Sequence, residues 1–168
     1  FITWDDIYDS GHGSHVAGVI GAQNNNGIGI SSIAGGNGNI PGVKLMICQI
    51  FSGITGSSSI AVSRAIKYAA DNGAVIINNS WGYDPGEYDG DNDYEHSDSV
   101  LKSAFDYFRA NARLEGVMEG GLVVFAAGNE SYAESAYPAA YRDYISVSAM
   151  SSDFKAAYYT NYGPGCNI

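Results

Sequence analysis

The sequence predicts an α/β fold built in three layers, in which helices cover both faces of a mostly parallel sheet. Short apolar runs of strand length alternate along the chain with segments of helical periodicity, and this alternation is typical of a parallel sheet with crossover helices. The 168 residues, 45% of them hydrophobic, are enough to bury one core. Because no repeat or linker divides the chain, we expect residues 1–168 to belong to a single domain.

Four apolar runs are short enough to be buried strands of such a sheet. Cys48 lies inside the first of them, so we interpret it as a small buried hydrophobic residue rather than as half of a disulfide with Cys166. Cysteine content therefore does not indicate a cellular compartment. The predicted strands are Val43–Phe51, Ala74–Asn78, Leu122–Ala127 and Ile145–Ala149.

Three segments have the apolar periodicity of helices. One follows the serine run at 57–59 and ends near Asn72 and Gly73, and a second runs from about Ser97 to Glu115. The third begins at or just after His12. It is expected to carry four apolar side chains into the core, namely Val16, Ala17, Val19 and Ile20.

Acidic residues dominate the charge of the chain. The formal net charge of −10 argues against nucleic acid or an anionic membrane as a partner, because both bind positively charged surfaces. No apolar run approaches the roughly 18 residues of a membrane-spanning helix. Seven of the 18 acidic residues fall in one stretch, and no lysine or arginine occurs between Lys67 and Lys102. We expect this acidic stretch to be a solvated, inserted loop. Its carboxylates are those of Asp84, Glu87, Asp89, Asp91, Asp93, Glu95 and Asp98.

Two short motifs carry the chemistry of this sequence. Residues 11–18 read Gly-His-Gly-Ser-His-Val-Ala-Gly, and residues 125–130 read Phe-Ala-Ala-Gly-Asn-Glu. In this order and at this separation they resemble the motifs of subtilisin-like serine proteases, the subtilases, with Ser14 where the family more often has threonine. Residues 75–82, Val-Ile-Ile-Asn-Asn-Ser-Trp-Gly, resemble the substrate-binding strand of the same family. The resemblance implies a subtilisin-like peptidase domain, of which this chain is the central part, incomplete at both ends.

His12 is the candidate general base. An apolar helical pattern follows it, so we expect its imidazole at a helix N-terminus, where the helix dipole disfavours the imidazolium form. The resemblance implies that His12 takes the proton from an attacking serine and returns it to the leaving amine. The alternative is a helix-capping or simply buried histidine. His15, one turn later, is expected to pack in support of the helix and to take no part in the chemistry.

Asn129 is the candidate oxyanion donor. It follows a predicted strand and Gly128, which puts its amide at the carboxyl end of a parallel sheet, where open α/β folds bind ligands. The resemblance implies that this amide donates to the tetrahedral oxyanion, and the alternative is a turn-forming asparagine.

The resemblance also implies a set of substrate-binding residues. They are Ser80, Trp81 and Gly82 on one edge of a cleft, Ala126, Ala127 and Gly128 on one wall of a specificity pocket, and Ala136 at its floor, before Tyr137 and Pro138. A second edge is expected from Thr55, Gly56 and Ser57. Because these walls are small and apolar, the pocket is expected to be roomy and uncharged.

Two parts of a Ser-His-Asp triad have no counterpart that we can identify. In the family the aspartate precedes the histidine and the serine follows the asparagine, and Asp5, Asp6 and Asp9 lie too close to His12 to be that aspartate. We therefore predict a serine endopeptidase of which this segment supplies the base and the oxyanion donor, and which is inactive as the segment alone. The alternatives are a non-catalytic binding or structural domain on the same fold, and an acidic calcium-binding surface module.

The expected cofactors and partners are few. No cofactor is expected to be required, although Gln23–Ile30 resembles a loop that binds structural calcium in several relatives, and a turn without metal is an equal alternative. A protein or peptide substrate and the remaining parts of the same domain are the expected partners. Family resemblance implies a secreted or cell-envelope location.

Overall fold

The computed structural model describes residues 11–51 and 56–168. The chain divides into two compact units, residues 1–58 and residues 59–168. The predicted Asp5, Asp6, Asp9 and Thr55 lie outside the described residues.

The first unit contains helix α1, His12–Gly21, and irregular chain after it. Gly11 precedes the helix with φ 68°, a left-handed conformation that glycine adopts without strain. The chain after the helix folds back on it, since Ala34 donates its N–H to the carbonyl of Ile20 at 2.9 Å. Gly35 makes this return possible, because a Cβ built on it would lie 1.8 Å from the carbonyl oxygen of Ala22.

Two expectations for the first unit are wrong. No strand forms within 43–51 in the part of the chain that the structure describes, and Ile47 is 72% exposed. A strand needs a neighbour for its backbone hydrogen bonds, and among the described residues of this unit no strand lies beside the run 43–51. No residue of α1 is buried, and Val19 is 44% exposed rather than part of a core.

The second unit contains a parallel sheet and the helices that pack on it. Its elements are α2 (Ser59–Asp71), β1 (Ile76–Asn79), α3 (Asp91–Ser97), α4 (Ser99–Asn111), β2 (Arg113–Leu114), β3 (Met118–Glu119), β4 (Leu122–Ala126) and β5 (Ile145–Val147). The sheet has the strand order β1-β4-β5, with Ile76 opposite Leu122 and Val124 opposite Ile145, and both pairs of neighbouring strands are parallel. A short antiparallel pair, β2 with β3, precedes β4. The predicted α/β class with a mostly parallel sheet is confirmed.

The core of the second unit lies between the helix pair and the sheet. Helix α2 packs on α4 and α4 contacts β4, so the apolar stripes of both helices are covered. Phe105 and Phe108 of α4 are fully buried, and the Phe105 ring lies 5.3 Å from the ring of Phe125 on β4. Each such aromatic ring contributes about 1.5–3 kcal/mol by leaving water.

The acidic stretch is not the solvated loop that its composition predicts. It contains α3, and Tyr94 of α3 is fully buried in a cluster of tyrosines. Asp98, which is 7% exposed, accepts a hydrogen bond from the phenol of Tyr83. Burial of the tyrosine rings stabilises this folded arrangement and offsets the repulsion between its neighbouring carboxylates. The hydropathy of the stretch does not predict that these rings are buried. The ring cluster comprises Tyr83, Tyr88, Tyr94, Tyr137, Tyr141 and Tyr144.

Arg142 neutralises part of the acidic stretch. Its guanidinium contacts Asp91 at 2.7 Å and Glu95 at 2.9 Å. The same two carboxylates accept hydrogen bonds from the phenols of Tyr137 and Tyr141. The hydrogen bond from Tyr141 is the main reason that the pKa of Glu95 is lowered, and the charge of Arg142 adds to it. Helix α3 is therefore anchored to the segment that follows Ala136.

Both cysteines are free and half-buried. Cys48 is therefore not the buried residue that the sequence predicts, although its partial burial raises the pKa of the thiol.

Candidate functional site

The candidate general base lies in the first unit. His12 is the first residue of α1 and its side chain is exposed, so the imidazole stands at the positive end of the helix, as the sequence predicts. His15, for which we expect a packing role, is exposed as well.

The candidate oxyanion donor lies in the second unit, at the carboxyl end of the parallel sheet. Strand β4 ends at Ala126, and Asn129 follows three residues later with an exposed side chain. Among the described residues, no partner is hydrogen-bonded to its side-chain amide. Its backbone N–H donates to the Glu130 carboxylate at 2.9 Å. The main chain of Asn129 is therefore held while its amide remains available.

A buried asparagine that the motif analysis missed holds this loop. Asn161 is 0% exposed, and its Nδ2 donates to the carbonyl of Ala127 at 3.0 Å and to the Glu130 carboxylate at 2.8 Å. Its Oδ1 accepts from the backbone N–H groups of Glu130 and Tyr132, each at 3.0 Å. The four hydrogen-bonding positions of the amide are all used. The residue lies in a polar and tyrosine-rich run, which carries no local signal for this role.

Gly128 makes the close approach of Asn161 possible. Its φ is +113°, and a Cβ on it would lie 2.2 Å from Nδ2 of Asn161 and 2.5 Å from a carboxylate oxygen of Glu130. Any larger residue would both strain the backbone and displace these two side chains. The Glu130 carboxylate beside Gly128 accepts hydrogen bonds from Asn161 and from the Asn129 N–H.

The predicted substrate-binding edge follows β1 directly. The indole of Trp81 packs edge-on against Phe125 of β4, with centroids 5.4 Å apart. The amide of Asn78 donates to the hydroxyl of Ser80 at 3.0 Å. At Gly82 a Cβ would lie 3.3 Å from the carbonyl oxygen of Tyr137, so the edge runs close to the turn that follows Ala136.

The predicted pocket residues lie beside that edge. Ala136 donates its N–H to the carbonyl of Ala127 at 3.0 Å, and both residues are buried. Ala126 is exposed and Gly128 is half-buried. The second unit thus brings together Ser80–Gly82, Ala126–Gly128, Asn129 and Ala136 at one end of the sheet. Their roles toward a substrate remain predictions.

The loop predicted to resemble a calcium site is closed by its own hydrogen bonds. The side-chain oxygen of Asn24 accepts from the hydroxyl of Ser31 and the N–H of Ser32, both at 2.7 Å, and that of Asn26 accepts from the N–H of Ile28. Within residues 11–51 and 56–168, no cluster of three acidic, histidine or cysteine side chains could hold a metal ion. The ligands expected of this loop are carbonyl and asparagine oxygens rather than such a cluster, and calcium binding stays a prediction.

A cavity of about 400 Å³ lies at the other end of the sheet. Its lining includes Arg109 and Asp143, which form an ion pair at 2.8 Å, and the first residues of β4 and β5. It contains none of the predicted site residues.

Comparison with known proteins identifies the family. The family model described as the subtilase family, peptidase S8, matches residues 4–168. The chain belongs to the subtilase family. Its curated relatives include the thermophilic serine proteinase of Bacillus sp. strain AK1, 32% identical over 98% of this chain, and the halolysin of Haloferax mediterranei, 34% identical over 98%. This subtilase chain spans 36% and 28% of those two relatives.

Solved structures also match this subtilase chain. The S218A mutant of the protease domain of PatA covers 93% of it with a TM-score of 0.66 and 30% identity, and the chain spans 49% of that structure. The subtilisin-like fold expected from the sequence, partial in this chain, is therefore confirmed. In the described part of the chain no helix has the length and apolar character to cross a membrane.

Proposed function

We propose that the full protein hydrolyses peptide bonds as a serine endopeptidase, with His12 as general base and Asn129 as oxyanion donor. The observation that carries this proposal is the environment of Asn129. Its side-chain amide is exposed at the carboxyl end of a parallel sheet. The backbone around it is held because the Asn129 N–H donates to the Glu130 carboxylate and the Glu130 N–H donates to Asn161. An exposed amide on a rigid loop is the arrangement that stabilises charge appearing only in a transition state.

The proposed reaction needs a serine and an aspartate from the rest of the protein. The serine oxygen attacks the peptide carbonyl carbon and its proton passes to the imidazole of His12. The carbonyl oxygen then carries the negative charge and accepts a hydrogen bond from Nδ2 of Asn129. When the C–N bond breaks, His12 gives the same proton to the leaving amine, and water repeats the sequence on the acyl-enzyme.

The proposed substrate is an extended peptide that pairs with the segment 80–82. This segment follows β1 and is backed by Phe125 and by the Tyr137 carbonyl, so it presents a fixed backbone edge. Extended peptides bind such edges through main-chain hydrogen bonds. A secreted or cell-envelope location follows from family resemblance and is proposed on that basis.

Two single substitutions in the full protein test the proposal. His12→Ala should abolish hydrolysis of a fluorogenic peptide, while His15→Ala, an exposed histidine of the same helix, should retain it. Wild-type protein should also be labelled by a fluorophosphonate, a reagent that modifies activated serines. If the folded full protein neither hydrolyses peptides nor reacts with the reagent, the proposal fails and the non-catalytic domain on the same fold becomes the better description.

A further inference from the structure

We infer that Asn161 is a positioning residue for the oxyanion donor, a role that rests on the proposed function of Asn129. Asn161 lies 32 residues further along the chain and touches the oxyanion loop at several points. In addition to its four side-chain hydrogen bonds, its backbone N–H donates to the carbonyl of Gly128 at 3.0 Å. Its contacts therefore fall immediately before and immediately after Asn129.

The hydrogen-bond pattern leaves the loop little freedom. Asn161 and the Asn129 N–H converge on one Glu130 carboxylate oxygen, at 2.8 and 2.9 Å. The Glu130 carboxylate thus links the buried Asn161 to the backbone of Asn129. Charge-assisted hydrogen bonds of this kind are about twice as strong as neutral ones, so the bridge resists rotation of the 128–130 backbone.

The backbone of Asn161 is itself held by hydrogen bonds. Its carbonyl accepts a hydrogen bond from the hydroxyl of Thr160 at 3.1 Å and one from the thiol of Cys166 at 3.7 Å. The neighbouring Thr160 hydroxyl accepts from the N–H of Ala149, just beyond β5, at 2.8 Å. The positioning contact thus ties the loop after β4 to the chain after β5.

A small displacement of Asn129 should be costly for catalysis but not for substrate binding. A shift of about 1 Å in a catalytic group can cost about a hundredfold in rate, and the oxyanion contact exists only in the transition state. Asn161→Ala should therefore lower kcat by about ten- to a hundredfold. KM should change by less than about twofold, because ground-state binding does not use this contact.

The decisive experiment is a double-mutant cycle in the full-length protein. Asn129→Ala, Asn161→Ala and the double variant are assayed with one peptide, and kcat is expressed per active site counted with a fluorophosphonate, so that unfolded molecules do not contribute. If Asn161 acts through Asn129, adding Asn161→Ala to Asn129→Ala should change kcat by less than about threefold. Asn167→Ala is the control for loss of an asparagine side-chain hydrogen bond away from the oxyanion loop: it removes the contact to the Ser146 N–H at 2.7 Å and should leave kcat unchanged in both backgrounds.

The outcomes separate the inference from the function on which it rests. If the two substitutions multiply, Asn161 has only a general structural role and the inference is overturned. If Asn129→Ala alone leaves kcat unchanged, the proposed role of Asn129 fails and the inference fails with it. Should Asn161→Ala not fold, Asn161→Asp keeps both acceptor contacts but loses the donor to Ala127 and repels Glu130. It should show the same loss of kcat and the same lack of additivity.

Discussion

The phenol of Tyr83 donates a hydrogen bond to the buried carboxylate of Asp98, and this contact joins the acidic stretch to the proposed substrate-binding edge. Tyr83 is the residue directly after Gly82, and its N–H also donates to the carbonyl of Tyr137 at 2.8 Å. The segment 80–82 is thus held on one side by α3 and α4 and on the other by the turn after Ala136.

Removing the Tyr83 hydroxyl should destabilise the protein. In Tyr83→Phe the Asp98 carboxylate loses a charge-assisted hydrogen bond while it remains buried, which costs about 1–3 kcal/mol. Denaturant unfolding of the full-length protein measures the change in free energy. Tyr107→Phe is the matched control, since its phenol bonds the exposed Asp71 at 2.7 Å, and its effect should be below about 1 kcal/mol. Equal effects of the two variants would contradict the importance of the buried contact.

Stability should fall in alkaline solution. Burial raises the pKa of Tyr83, with a further rise from its hydrogen bond to Asp98, and burial likewise raises the pKa of Tyr94, Tyr137 and Tyr144. Tyrosines of the unfolded chain lose their protons near pH 10, about the ordinary tyrosine value, while the folded protein retains them. The unfolded state therefore binds fewer protons, and the free energy of unfolding decreases as pH rises above about 10.

The measurement is the melting temperature from about pH 8 to about pH 11.5, a range that brackets the ordinary tyrosine pKa of about 10. Tyr144→Phe should make the decline shallower, because it removes one of the contributing phenols. A melting temperature that stays constant through this range in the wild-type protein would mean that the buried tyrosines do not control alkaline stability.

Asn129→Ala should reduce kcat with little change in KM. The expected loss is about a hundred- to a thousandfold, the range known for the oxyanion asparagine of a subtilisin. The amide contacts charge that develops only in the transition state, so the loss belongs to the chemical step. Steady-state kinetics on the full protein provide the measurement. A variant with raised KM and normal kcat would instead identify Asn129 as a ground-state ligand or a structural turn.

Cleavage should occur after large apolar residues rather than after lysine or arginine. Ala127 and Ala136 are small and adjacent, so they leave room for a large side chain without offering it a charge partner. The acidic stretch after Tyr83 should favour basic residues at more distant positions of the substrate. Peptide-library profiling measures these preferences, and a strict requirement for arginine or lysine would contradict the pocket assignment.

Residues 1–168 expressed alone should hydrolyse nothing at a useful rate. His12 would have no serine to deprotonate, and loss of the serine alone removes about six orders of magnitude of kcat in a subtilisin. Leu45, Met46 and Ile47 are exposed, and an isolated segment with such apolar surface should associate or aggregate. A fluorogenic peptide assay and light scattering test both expectations. Turnover that a serine-directed inhibitor abolishes would mean that the segment contains its own nucleophile.

Much of the second unit was predictable because its signals are local. The helical periodicity from about Ser97 to Glu115 predicts α4, and strand-length apolar runs predict β1, β4 and β5 to within a few residues. The position of His12 at a helix start and of Asn129 after a strand also follows from short-range pattern. The periodicity of apolar residues indicates which face of a segment is buried. It therefore predicts helices and strands well when the elements that they pack against lie in the same unit.

Contacts between distant residues were decided only by the tertiary structure. Asn161 reaches the loop of Asn129 across 32 positions of the chain, and Tyr141 reaches Glu95 across 46. Neither contact leaves a spacing pattern, because a hydrogen bond depends on where whole elements are placed and not on the residues beside it. The same reason explains the run 43–51, whose composition predicts a strand although strand formation depends on a neighbouring backbone. The sequence by itself determined the fold class, the local elements and the two motifs, whereas folding determined which side chains hold those motifs in position.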